Sequence, residues 1–174
     1  MALRRLAAEG LSTPLKRGHW LIGPSTGQPG ALVSAAASPY AAYLSGWSAL
    51  RHHGLIQQIP QIHFGVTLGR PGATFMPGGN VTLHRLKPEL FGGYDYEPRA
   101  EGFVASPEKA LFDLAYLSAM NRSNVSTDLP ETDLSKIRWR ELQAWLRRIP
   151  SNSIRTSVAA HLARLRERQS TSAA

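Results

Sequence analysis

No cysteine occurs anywhere in the chain, and that single absence excludes a disulfide framework, a thiolate zinc site and a cysteine nucleophile. Stability must then come from packing. Long apolar runs are missing too. Nothing approaches the roughly eighteen apolar residues that a membrane span needs. The stretch after Arg4-Arg5, from Leu6 to Gly10, is too short and too polar for a signal peptide. The expectation is a soluble, cytoplasmic protein with no membrane partner. Gly-rich phosphate loops and nucleophile elbows are also lacking, so no cofactor, no catalytic residue and no resident metal are expected. Acidic side chains are scarce, 12 against 20 lysines and arginines.

What is present suffices for a folded body: 43% of the 174 residues are hydrophobic, enough to bury one core and to predict one main domain. The net charge of +8 is uneven. Residues 1–23 carry four basic and one acidic side chain, 24–134 carry seven and nine, and 135–174 carry nine and two. Clustered charge makes a field that an even spread does not. Both ends are therefore candidate contacts for a polyanion, the plainer alternative being arginine-rich helix faces in water.

Ala2 to Glu9 reads as a short helix ended by Gly10. Leu11–Leu15 and His19–Ile22 read as a hairpin turning at Lys16-Arg17-Gly18. The Pro/Gly/Ser-rich stretch from Pro24 to Gly30 marks a boundary, and Ala31–Ser38 is a helix closed by Pro39. Ser45 to Leu55 has both ends of a helix: Ser45 to cap the first amides, Gly54 for a left-handed terminus, and Leu55 placed to touch Leu50. Period-two alternation predicts strands at 61–68 and 80–86, joined as a hairpin by a loop from Gly69 to Gly79, and a further strand at 102–105. Ser106-Pro107-Glu108 opens the clearest helix, with a cap, a first-turn proline and a first-turn carboxylate. Met120 to Thr132 is polar and reads as a flexible loop. Two amphipathic helices follow, the first stopped by Pro150, and the last six residues are expected to fray.

Little here points to catalysis. The adjacent His52 and His53 point about 100° apart on a helix and so share a metal poorly. Asp95 and Glu97 lack a third ligand. Glu108 and Lys109 are adjacent at a helix start, whereas a metal-dependent nuclease usually sets its carboxylate and lysine one position apart on a strand.

Two stretches resemble a known family. One runs from Tyr43 to Leu55 (Ser45, Gly46, Ala49, Leu50, His53 and Gly54 among them) and on to Gln58 and Pro60. The other runs from Val104 to Leu114 and includes Ser106, Pro107, Glu108, Lys109, Ala110, Leu111 and Asp113. In order and spacing they resemble the AbiEi antitoxins of type IV toxin–antitoxin systems, linked to abortive infection and phage defence, and Leu15 to Leu21 resembles that family's wing. The resemblance implies a winged helix that binds inverted repeats in the protein's own promoter. It also implies a C-terminal domain that counteracts a nucleotidyltransferase-like toxin, AbiEii, antagonistically and without an assumed stable complex. A winged helix needs two helices ahead of its recognition helix, and only nine residues precede Gly10, so the resemblance implies a truncated reader.

The expectation is thus an α+β protein. A residual winged-helix element spans 1–23, an antitoxin core of small mixed sheet and packed helices 31–119, a flexible loop 120–134, a basic helical part 135–168 and a disordered tail 169–174. Arg4, Arg5, Lys16 and Arg17 are the candidate DNA contacts. Arg147, Arg148, Arg155, Arg164, Arg166 and Arg168 form a basic face for nucleic acid or protein. Expected partners are promoter DNA, the toxin and a second copy of the chain. The alternatives are an interaction module without DNA binding and a metal-dependent nuclease using Asp95 or Glu108.

Overall fold

The computed structural model describes residues 2–23, 27–120, 125 and 132–172, with side chains as far as Glu167. Alternating apolar residues build its centre, a mixed sheet of β3 (Ala42–Leu44), β4 (Ile62–Thr67), β5 (Gly72–Met76), β6 (Gly79–Arg85), β7 (Tyr94–Glu97) and β8 (Gly102–Ala105), ordered β5-β6-β4-β3-β8-β7. The chain is an α+β protein. The expected hairpin between the two long strands is corrected: β4 and β6 are parallel, with Ile62 opposite Asn80 and Thr67 opposite Arg85. Parallel neighbours cannot be joined by a tight turn. The connection instead passes beyond β6 and returns antiparallel to it as β5, in the stretch that reads as a loop.

Pleating divides the residues of these strands between two faces. On one face Gly65 meets Val33, and Gly79 meets Leu32, of α2 (Pro29–Ala37). On the other, Gly46 at the start of α3 (Gly46–His52) lies under the Phe64 ring, and Tyr43 reaches α4 (Pro107–Ala119). Outside α4 pack α5 (Trp139–Arg147) and α6 (Asn152–Ser172) through the buried Leu142, Leu146, Val158 and Leu162. The helical backbone of α6 continues to Ser172, where an unordered tail is expected from sequence. Most of the expected flexible loop at 120–134 lies outside the described residues.

Capping follows the sequence in most places. Gly54 has φ 72°, and the amides of Gly54 and Leu55 bond back to the carbonyls of Arg51 and Leu50. This closes α3 in a Schellman ending. Ser106 Oγ accepts the Lys109 amide at 3.2 Å and starts α4. Ser45 does not cap α3, because its hydroxyl is taken by Asp113.

His84 sits in this core, stacked on Phe64 at 4.1 Å between ring centroids, and burial pushes its imidazole from 6.5 down to about 4. The unfolded chain therefore takes up a proton near pH 6.5 that the folded protein refuses until about pH 4. Stability is present above the unfolded value and is lost as pH falls through that window, by about 3 kcal/mol at roughly 1.4 kcal/mol per unit. Burial lowers His63 and His52 in the same direction. Urea denaturation at neutral and acid pH should show the loss, and His84→Gln should flatten most of it. An unchanged slope in that variant would place the proton elsewhere.

Candidate functional site

The N-terminal piece is built as its sequence suggests. Helix α1 (Ala2–Ala8) leads through Gly10 (φ 72°) into a hairpin of β1 (Ser12–Lys16) and β2 (His19–Ile22), which turns at Gly18 (φ 83°). No side chain of α1 is fully buried, and only Leu6 and Ala7 are partly covered. It is tied to the hairpin by two polar links, the Leu11 amide to the Leu6 carbonyl at 2.8 Å and Ser12 Oγ to the Leu3 carbonyl at 3.0 Å.

The four candidate DNA contacts do not behave alike. Arg4 is exposed on α1, and Arg17 is exposed at the hairpin turn. Arg5 pairs with Glu9 at 3.2 Å on the open surface, an interaction that contributes about 0–1 kcal/mol and is easily exchanged. Lys16 differs from the other three. Its ammonium turns inward and donates to the carbonyls of Ala36 at 3.0 Å and Ser38 at 3.3 Å, where it complements the carbonyl end of α2. It fastens the hairpin to the body.

The C-terminal arginines divide similarly. Arg147 is exposed on α5, as is the neighbouring Arg140. Arg148 lies over the Trp145 ring at 4.2 Å, and Arg166 over Trp139 at 5.4 Å. Arg155 donates from Nε and Nη2 to the Ile149 carbonyl, which clamps the turn between α5 and α6. Arg164 bonds to the Ala160 carbonyl and to His161 within its own helix. The side chain of Arg168 lies outside the described residues. The basic face is thus part open surface and part internal fastening.

The second resemblance motif is the centre of the molecule. Lys109 and Asp113, one turn apart on α4, form an ion pair with both side chains 0% exposed. Lys109 Nζ also donates to Tyr43 Oη at 2.9 Å, while Asp113 Oδ2 accepts from Tyr43 Oη at 3.1 Å and from Ser45 Oγ at 2.7 Å. Burial pushes the Lys109 ammonium down and the Asp113 carboxyl up, each toward its neutral form, and their mutual attraction opposes both shifts. Burial, reinforced by Asp113, pushes the Tyr43 phenol well above its ordinary value. The rings of Trp145, Phe112 and Tyr43 lie 4.8–5.4 Å from the ammonium, and Tyr94 stacks on Tyr43. Every polar atom of the cluster is satisfied and sealed from water. What it does is fix α4 to β3 and seat α5.

Glu108, next in sequence, does the companion task. Its carboxylate is 1% exposed and accepts from the Arg138 amide at 3.0 Å and from that guanidinium at 3.1 and 3.2 Å. Burial raises its pKa, but those hydrogen bonds outweigh burial and hold it below the ordinary value. Adjacent charges at the head of α4 therefore grip α5 at two points, its N-terminus and Trp145.

The remaining motif positions serve packing. Ala49, Leu50, Ala110 and Leu111 are fully buried, and His53 Nε2 lies 2.8 Å from the Ala105 carbonyl. Pro107 takes the first position of α4, and Pro60 is half-buried ahead of β4. Asp95 is exposed on β7, and Glu97 lies 3.8 Å from His52. Among the described residues no three histidine, aspartate or glutamate side chains group as metal ligands, and no helix is long and apolar enough to cross a membrane.

Sequence reading undervalued Tyr43 and Trp145. A lysine and aspartate at i and i+4 were visible as a helical pair, and Tyr43 and Ser45 two apart on a strand share a face; their meeting is set by tertiary structure. No protein-family model matches the chain, and no curated protein matches it.

Proposed function

We propose that this protein is a non-catalytic regulator of the AbiEi antitoxin type, which binds the promoter of its own operon and counteracts a nucleotidyltransferase-like toxin. One observation carries the reading. Helix α1 holds Arg4 and Arg5 outward and adds no fully buried side chain to the core, and it stands beside a hairpin whose tip presents Arg17. A helix that rests on the hairpin only through the partly covered Leu6 and Ala7 and turns two arginines outward suits contact with something outside the chain. Phosphates fit those guanidiniums, and a hairpin tip beside a helix is the layout in which a wing meets an adjacent groove. The sealed ionic centre supports the same reading, since the most perturbed charges are committed to holding helices together and are closed to a substrate.

A gel shift on the upstream promoter at two salt concentrations tests it. Replacing Arg4, Arg5 and Arg17 together by alanine should weaken binding and reduce the slope of log K against log salt by about 0.9 for each phosphate that is no longer neutralised. Lys16→Ala should lower stability and leave that slope unchanged. Absence of a retarded band at the lower salt would leave the interaction-module reading, in which α5 and α6 meet a protein. Magnesium-dependent cleavage of DNA, abolished on replacing Asp95 or Glu108, would establish the nuclease alternative. Restored growth on co-expression with the toxin is the test of the antitoxin role.

A further inference from the structure

Among the described residues, β5 is the edge strand of the sheet and pairs only with β6. Residues 72–76 make main-chain ladder bonds to β6 and, among the described residues, to nothing else. Alternate N–H and C=O groups along it therefore point outward. Such edges are ordinarily guarded by charge, proline or a covering element, yet Gly72-Ala73-Thr74-Phe75-Met76 holds neither charge nor proline. The opposite edge of the sheet, β7, is guarded by Asp95 and Glu97.

The bare edge also carries a knob. Phe75 is 76% exposed. It stands opposite Asn80, which in turn stands opposite the exposed Ile62, so the three lie in one row on the face that carries α3 and α4. Toward the other end of β5, beside Ala73, is a hollow of about 460 Å³ lined by Ala73, Thr82, His84 and, from α4, Leu117, with Arg85 also on its wall. Ala73 and Phe75 are two apart on a strand and so share a face. Knob and hollow thus lie on the same side of one uncharged strand.

We infer that β5 pairs with β5 of a second copy, antiparallel about a two-fold axis through Thr74. In that register Phe75 of each copy falls opposite Ala73 of the other, and its ring covers the other copy's hollow. Gly72 falls opposite Met76. Main-chain bonds extend the sheet across the axis, as in strand addition, and the contact is isologous and closed. Two chains of net charge +8 meet here at a strand that contributes no charge to the interface. The inference does not rest on the regulatory reading, because a monomer can bind promoter and a dimer can bind none.

The absence of cysteine makes the test direct. Thr74→Cys supplies the only thiol, and directly opposed residues of an antiparallel pair have Cα atoms about 4.5–5.5 Å apart, within disulfide reach. Mild oxidation should convert Thr74→Cys to a covalent dimer, whereas Thr82→Cys, one strand further in, should stay uncrosslinked. Light scattering of the unaltered chain should give twice 19.0 kDa. Phe75→Lys should give the monomer mass with an unchanged circular-dichroism spectrum. A monomer mass for the unaltered chain, equal crosslinking at the two cysteine positions, or a Phe75→Lys protein that remains dimeric would each overturn the inference.

Discussion

Replacing Asp113 by alanine should remove about 3–5 kcal/mol of folding stability, because it leaves the Lys109 ammonium buried without its counter-charge. Nothing nearby can take over. Tyr43 already donates to Asp113 and accepts from Lys109, Ser45 is committed to Asp113, and both charged side chains are cut off from water. Against a typical total of about 5–15 kcal/mol, the loss moves the urea midpoint far down. The same physics predicts a recovery. Lys109→Met combined with Asp113→Leu removes both charges at similar volume and should regain most of the loss, apart from the unpaired hydroxyls of Tyr43 and Ser45. If Asp113→Ala costs less than about 1 kcal/mol, the range of an ordinary surface change, the pair is not the fastening described here.

Gly93→Ala should cost about 2–4 kcal/mol, for two reasons that can be separated. Gly93 has φ 70°, a left-handed conformation that costs a side-chain-bearing residue about 1–2 kcal/mol. A Cβ there would also stand 2.5 Å from the Trp145 ring and 3.1 Å from the Lys109 stem, so the ring must move off the ammonium it covers. Gly54 has φ 72° with nothing within 4 Å of an added Cβ, and Gly54→Ala should show the backbone cost alone. The difference between the two variants in urea denaturation measures the packing of α5 on the ionic centre. A shift in tryptophan emission should accompany Gly93→Ala and be absent from Gly54→Ala. Equal losses would mean that Trp145 yields freely and that α5 is held from elsewhere.

Elements whose signals are local were legible in the sequence. Ser106-Pro107-Glu108 and Gly54-Leu55 each carry cap chemistry within two or three residues, and α4 begins and α3 ends where those signals stand. The alternation of Ile62, Phe64 and Val66 placed β4 correctly. What failed was pairing. Whether β4 and β6 run parallel depends on where the connecting chain travels, and β5 is hidden there because glycines and prolines flank a short stretch whose outer edge is bare. Side-chain assignments failed for a related reason. Ser45 has the residue type and position of a cap, but a buried carboxylate 68 positions away competes for its hydroxyl and wins. Lys16 has the position of a groove-reading tip, but the carbonyl end of α2 lies within its reach. In each case the residue type was read correctly and a distant partner decided its use.

The lack of any fully buried side chain in α1 bears on how a ligand could be held there. A helix of seven residues is far below the length at which helices persist unaided in water, so its order is borrowed from the hairpin, through two bonds and the partly covered Leu6 and Ala7. Its frayed and formed states must lie close in free energy. Any surface that grips the helix selects the formed population, and the observed affinity is the intrinsic one scaled by that fraction. Stiffening the segment should therefore tighten the grip without adding a single new interaction to it.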